Sequence, residues 1–326
     1  MKEQVFAGID VGGTSIKCAL GTSQGKLVAQ KAIPTDAYHG PEDVLDRIAL
    51  TVGEMQAQID AEFVLAGLGM GVPGLVDIQT GVTKFLPNLH TQWREVPVAD
   101  ILSEKLGCGV KLLNDVRAAT LGELKFGHGQ SKSDLTMVFF AIGTGVGGGI
   151  VIEGKLRLGN LGAAGELGHQ TLIANGHPCG CGNNGCMETL VSGPAITAEG
   201  VRLLLTGQAP KLNELVQGEI HQVTPKLMFQ AANAGDVHVH AALLTAANYV
   251  GIAAANVVTI LYPELIVLGG GVAEMGDLLI NEVKKVIKQR VGMIDTETVR
   301  VEKSLLGDQA GVKGAVALGM MVDSKI

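Results

Sequence analysis

Three cysteines, Cys179, Cys181 and Cys186, stand within eight positions, with Gly180, Gly182 and Gly185 between them. Thiols at that spacing wrap a short, glycine-hinged loop around one metal ion. Zinc then needs one nitrogen to complete a tetrahedral shell. His169 and His177 both lie near enough in sequence to supply it. Cys18 and Cys108 sit in apolar contexts and read as inert core thiols, so the cluster points to metal in a reducing compartment.

A second chemistry is written in glycine. Asp10-Val11-Gly12-Gly13-Thr14 and Gly143-Thr144-Gly145-Val146-Gly147 each follow an apolar run. Glycine lets backbone approach an anion closely, while turn N–H groups and threonine hydroxyls donate to it. Two such turns facing one another would hold a triphosphate. Gly69 to Gly74 and Gly143 to Gly148 also match G-x-G-x-x-G, but a dinucleotide loop must open directly into a helix. Here Gly148 runs into the strand-like Gly149-Ile150-Val151-Ile152, and Pro73 removes an N–H that the loop would need. No G-x-x-x-x-G-K-[ST] occurs, which sets aside a Walker loop as well.

These residues require elements to hold them. Val5 to Asp10 reads as a strand and Ser15 to Leu20 as its return, with Gly12-Gly13-Thr14 the turn. Pro41 to Ile59 has helical spacing, Phe63 to Gly69 is an apolar strand, and Val98 to Leu106 is a helix stopped by Gly107. Val110 to Leu113 is a strand, after which Asn114-Asp115 caps a helix from Val116 to Phe126. The same grammar restarts with strand Thr136 to Ile142, a glycine turn and strand Gly149 to Glu153. Helices follow around Pro194 to Leu205, Pro225 to Ala234, Val237 to Ile260 and Asp277 to Val291, with strands at Leu265 to Leu268 and Val299 to Ser304. The fold class is α/β, in two regions that open alike.

Length and composition agree. A chain of 326 residues exceeds one ordinary core, which predicts two domains and a cleft. Apolar residues make up 47% and charged residues 17%, a globular balance. With 25 Lys and Arg against 32 Asp and Glu the formal charge is −7, and no basic stripe offers itself to nucleic acid. Lys2, Glu3 and Asp10 leave no apolar leader, so a cytoplasmic protein is expected. Ala241 to Tyr262 approaches bilayer-spanning length, but Asn248, Asn256 and the following Pro263 favour a buried helix and no membrane. His238 and His240 are expected on the surface.

The ordered set Gly8 to Thr14, Gly71-Val72-Pro73-Gly74, Pro87-Asn88-Leu89, Asn114-Asp115, Gly143 to Gly149, Glu166-Leu167-Gly168-His169, Cys179 to Gly182 with Cys186-Met187-Glu188, and Leu268 to Gly271 resembles the ROK family (repressor, open reading frame, kinase), and within it the bacterial glucokinases. The resemblance covers nearly the whole chain. It implies an actin-like, ribonuclease H-like ATPase fold of two lobes with a central cleft. An N-terminal lobe of 1–125 plus 308–326 would carry sugar and phosphate loops. A C-terminal lobe of 126–307 would carry the nucleotide site, the zinc loop and a homodimer surface. The C-terminal helix, about Asp308 to Met321, would return to the first lobe.

By the same resemblance Gly71, Asn88, Asn114, Asp115, Glu166, His169 and Glu188 would bind a hexose, with Asp115 the general base for its 6-hydroxyl. Asp10, Gly12, Gly13, Thr14, Lys17, Gly143, Thr144, Gly145, Gly270 and Gly271 would bind ATP and its Mg²⁺. The Glu-x-Gly-His motif favours His169 over His177 as the zinc ligand beside Cys179, Cys181 and Cys186. A helix N-terminus should depress the pKa of Asp115, which a loose phosphoryl-transfer transition state tolerates. Many relatives follow the catalytic pair with Ala-Asn, whereas Val116-Arg117 stands here, and a structural ion pair is expected of Arg117. Phe85 to Leu89 and Trp93 favour glucose over N-acetylmannosamine, fructose or allose. A sugar sensor without phosphotransfer and an NAD-dependent oxidoreductase are the readings from other classes.

Overall fold

The computed structural model describes residues 3–324, so Lys2 lies outside the described residues. Backbone contacts divide the chain into two units, Met1–Leu135 with Gly149–Gly165 and Ser304–Ile326, and Thr136–Gly148 with Glu166–Lys303.

The first unit opens with β1 (Glu3–Val11), β2 (Ser15–Thr22) and β3 (Leu27–Pro34), followed by α1 (Pro41–Gln58) and β4 (Phe63–Val72). Next come the small hairpin β5 (Leu75–Asp77) and β6 (Val82–Phe85), then α2 (Val98–Leu106), β7 (Gly109–Asn114) and α3 (Asp115–Phe126). Its sheet runs β3-β2-β1-β4-β7. β1 pairs antiparallel with β2 from Val5↔Thr22 to Val11↔Ile16, the hairpin expected around Gly12-Gly13-Thr14. β4 pairs parallel with both β1 and β7. α1 shows why the sequence folds here: Pro41 starts it, Glu42 and Asp43 occupy the positive first turn, and Val44, Leu45, Ile48, Val52 and Met55 form one buried stripe.

The chain continues through β8 (Met137–Ile142), β9 (Val146–Ile152) and β10 (Lys155–Arg157). Helices α4 (Glu188–Val191), α5 (Gly193–Leu205), α6 (Pro210–Val216), α7 (Pro225–Asn233) and α8 (Val237–Leu261) follow, then β11 (Leu265–Gly269), α9 (Asp277–Arg290) and β12 (Arg300–Lys303). The second sheet has the order β10-β9-β8-β11-β12, with β11 parallel to β8 and β12. α8 is long and apolar enough to cross a membrane. It buries Val239, Leu243, Ala247, Val250, Ala254 and Val258 and packs on α7 and α9. His238 and His240 flank buried Val239 and are exposed.

α10 (Ala310–Gly319), preceded by a 3-10 turn at Gly307–Gln309, belongs to the first unit, where it packs on β1, β4 and α3. Backbone lies directly on backbone there. A Cβ at Gly69 would stand 2.1 Å from the Ala315 carbonyl oxygen and 2.6 Å from the Gly319 nitrogen. Neither backbone atom can swing aside, so Gly69→Ala should cost about 1–3 kcal/mol by overpacking. Urea unfolding checks this through a lower midpoint at unchanged slope.

Candidate active site

Three parallel strands of the first unit end together, and the predicted residues stand on their last position (Asn114) or one before it (Asp10, Gly71). Asp10 of β1 is the Cα partner of Gly71 in β4, and Val72 is the partner of Asn114 in β7. Ligands of α/β sheets gather at such carboxyl ends. Gly71 suits glycine, because a Cβ would stand 3.3 Å from the Asp115 Cα and from the Ala118 Cβ, a tight contact that the helix start would have to absorb. Asn88 joins this edge through its backbone, since a Cβ on Gly13 would lie 3.5 Å from the Asn88 carbonyl oxygen.

Asn114, not Asp115, is the N-cap of α3. Its Oδ1 accepts from the N–H of Val116 at 3.0 Å and of Arg117 at 3.3 Å. Asp115 is the first helical residue, and its Oδ1 accepts from Val116 N–H at 2.9 Å. The expectation of a depressed pKa fails here. Burial pushes the Asp115 carboxyl up to about 7, and the negative charge of Asp10 pushes the same way, outweighing the Val116 N–H and the Arg117 charge. Burial also raises Asp10, against the pull of Lys17 across the β1–β2 pair. Lys17 donates to the Asp308 carbonyl at 2.9 Å, and a Cβ on Gly311 would stand 2.4 Å from Asp10 Oδ2, so the start of α10 closes over that carboxylate.

The β1–β2 turn holds itself by two bonds and leaves two donors outward. Gly12 N–H is spent on Ser15 O at 3.0 Å, and Gly12 O accepts the Thr35 hydroxyl at 2.7 Å. Gly13 and Thr14 are exposed, and their N–H groups have no partner among the described residues.

The second unit has its own glycine turn. Gly143 N–H closes on Gly145 O at 2.9 Å, and Gly143 O accepts from Gly193 N–H at 2.7 Å. Thr144 at its tip is exposed. Parallel pairing of β8 with β11 places this turn beside Gly270 and Gly271. Gly270 has φ +81, and a Cβ there would lie 2.4 Å from Ile142 O, so no other residue fits. Glu188, the first residue of α4, reaches back to the turn. Its Oε2 accepts from Val146 N–H at 2.8 Å, and its Oε1 lies 3.7 Å from Cys179 Sγ.

The cysteines close with His169, as the Glu-x-Gly-His spacing predicts. The ligand atoms of His169, Cys179, Cys181 and Cys186 all lie within 4.8 Å of one another. Cys181 Sγ and Cys186 Sγ are 3.7 Å apart, and Cys179 Sγ is 3.6 Å from His169 Nδ1. Zinc–sulfur bonds of about 2.3 Å at tetrahedral angles separate sulfurs by about 3.8 Å, so the donor set fits zinc. His169 Nε2 faces Glu166 Oε2 at 4.0 Å, the usual carboxylate behind a ligating imidazole. His177 is exposed and contributes its carbonyl to Gly185 N–H at 2.8 Å. Away from the cluster, burial pushes the Cys18 thiol up to about 12 and raises Cys108, which keeps both protonated.

Two features of the site were not anticipated. The resemblance gives Asp10 to the nucleotide, whereas its charge also acts on the ionisation of Asp115. Arg117 donates to the neutral oxygens of Ala164, Ala163 and Asn114, a pattern that helix geometry alone does not foretell.

Comparison with known proteins places this geometry. The sequence model of the ROK family matches residues 6–321. A glucokinase of Halalkalibacterium halodurans is 34% identical over 320 residues, covering 96% of this chain and 94% of its own. A glucokinase of Thermotoga maritima is 33% identical over 321 residues, covering 98% of both chains. Among solved structures, the ROK family glucokinase of Streptomyces griseus in complex with glucose and AMPPNP superposes with a TM-score of 0.82 at 29% identity, covering 97% of this chain and 99% of that one.

Proposed function

The chain belongs to the ROK family, and from that membership we propose that it transfers the γ-phosphoryl group of ATP to the 6-hydroxyl of a hexose, glucose before all others. The fold is the actin-like one of its kinase relatives. The observation that carries the reading is the Asp115 carboxyl, set at the carboxyl ends of β1, β4 and β7 and tuned to about 7. A base of that pKa is half ionised near neutrality and holds a proton once it has taken one. As the 6-oxygen attacks phosphorus, the O–H proton passes to Asp115, the new P–O bond forms, and ADP leaves with the electrons of the old one.

Gly71, Asn88, Asn114, Glu166, His169 and Glu188 bind the sugar hydroxyls. The turns at Gly12-Gly13-Thr14 and Gly143-Thr144-Gly145, with Asp10, Lys17, Gly270 and Gly271, take the triphosphate. Mg²⁺ supplies charge neutralisation at the phosphates when bound. One Zn²⁺ is held by His169, Cys179, Cys181 and Cys186, a structural role supported by the donor set and its distances. The lobes 1–125 plus 308–326 and 126–307, a cytoplasmic homodimer, and the lack of a nucleic-acid or membrane partner complete the reading.

A coupled ADP-release assay across glucose, mannose, fructose, allose, N-acetylmannosamine and N-acetylglucosamine tests it, with ATP and polyphosphate as donors. Glucose with ATP should give the highest kcat/KM. A chain that binds sugar yet turns over none of these pairs is the non-catalytic sensor instead.

A further inference from the structure

Arg117 is 2% exposed in the first turn of α3, and a buried guanidinium survives only when its donors are met. Its Nη1 donates to Asn114 Oδ1 at 3.0 Å, its Nε to Ala164 O at 2.9 Å and its Nη2 to Ala163 O at 3.3 Å. With the N–H groups of Val116 and Arg117, three residue-held donors converge on the one Asn114 oxygen. The amide therefore cannot flip, because its NH₂ end would then face N–H groups. Nδ2 is forced to the other side, where one hydrogen faces Gly74 O at 3.4 Å and the second has no partner among the described residues.

The two carbonyls held by Arg117 follow a single 3-10 turn, Asn160–Gly162, in a segment that carries no other helix or strand. Gly159, Leu161, Gly162 and Gly165 all have positive φ, and Leu161, at φ 56, pays the strain of a side chain in that region. This segment leads straight into Glu166. The guanidinium thus ties it to the first turn of the helix that carries Asp115.

On the premise that the chain is a hexose kinase, we infer that Arg117 is a positioning residue for the acceptor sugar: it fixes Asn114 as a hydrogen-bond donor only and pins the Ala163–Ala164 backbone against the first turn of α3, so that this subsite demands a hydroxyl able to accept. Its charge has a second effect. The charged groups acting on Asp115 are Asp10, which opposes ionisation, and Arg117, which favours it, while Lys17 acts on Asp10. Loss of the Arg117 charge must move Asp115 to a higher pKa.

The test compares wild type with Arg117→Met and Arg117→Lys in the full chain. Arg117→Met should raise the KM for hexose about 10–100-fold, more than it lowers kcat. It should shift the acid limb of kcat/KM to higher pH, and shrink the discrimination against the monodeoxy hexose that Asn114→Ala no longer rejects. Arg117→Lys keeps the charge without the fork, so it should restore the acid limb and leave KM high. Lysine also decides the matter alone should the methionine variant not fold. Variants that lose melting temperature but keep wild-type KM, pH profile and deoxysugar discrimination make Arg117 a purely structural residue and overturn the inference. A wild type that phosphorylates no hexose overturns the kinase reading itself, a separate and recognisable result.

Discussion

Asp115→Asn should lower kcat by ~10²–10⁴-fold while hexose affinity stays within a few-fold of wild type. Asparagine keeps the size of the side chain and an oxygen that can accept from Val116 N–H, but it cannot take the proton of the 6-hydroxyl. The loss therefore falls on turnover. In the wild type, kcat/KM should fall as pH drops through about 7, because a protonated Asp115 is no longer a base. The variant should lack that limb. Near-normal kcat in Asp115→Asn rules the base assignment out, and a loss of sugar binding equal to the loss of rate makes Asp115 chiefly a sugar ligand.

The same substitution should stabilise the ligand-free protein. A carboxyl whose folded pKa lies above its unfolded value binds its proton more tightly in the native state, so ionising it costs stability. The cost is absent below about pH 4, grows through the interval up to about 7, and is constant above that. Discounted for the partial exposure of the residue, it is roughly 2 kcal/mol. Asp115→Asn should accordingly melt higher than wild type at pH 8 and at the same temperature at pH 3.5. A base at this position would be held against the interest of the fold, which is where an enzyme is expected to depart from its most stable sequence.

What the sequence allowed to be read was what it stores locally. The cysteine loop is legible because its three thiols are neighbours with glycines between them, and the strand-turn-strand openings are legible because β1 and β2 are adjacent in the chain. The run that became α8 shows itself by length and apolar content. Asp115 is visible as a residue, but its ionisation is not. The helix N-terminus is adjacent and visible, whereas Asp10 reaches Asp115 only through the parallel pairing of β1 with β4 and β4 with β7. Arg117 is similar: its carbonyl partner Ala163 lies 46 residues further on. β3 escaped notice because an edge strand with an intermittent exposed face carries little periodicity, and β5, β6 and β10 are too short to show any.

Cys181→Ala should cost the protein its zinc, lower its melting temperature and weaken glucose binding about 10-fold or more. The metal does not need to touch sugar for this to follow. Zinc bound by Cys186 would fix the chain two residues before Glu188, whose Oε2 takes the Val146 N–H at the end of the glycine turn. Zinc bound to His169 through Nδ1 would leave Nε2 facing Glu166, whose Oε2 lies 4.0 Å away. Two carboxylates proposed to bind hydroxyls would then be oriented through ligands of one ion. Three ligands left in place would bind the metal far more weakly, and the 179–186 loop, whose strand-like bridges are isolated pairs such as Pro178 with Asn184 and Thr171 with Cys186, has little else to hold it. Metal analysis of protein purified without chelator should give one zinc per wild-type chain and none per variant, with calorimetry reporting the affinity change. Zinc-free wild type would refute the site. A zinc-free Cys181→Ala protein that kept full glucose affinity would leave the metal a fold-stabilising role and break its link to the sugar, because Glu166 and Glu188 would then be held in place without it.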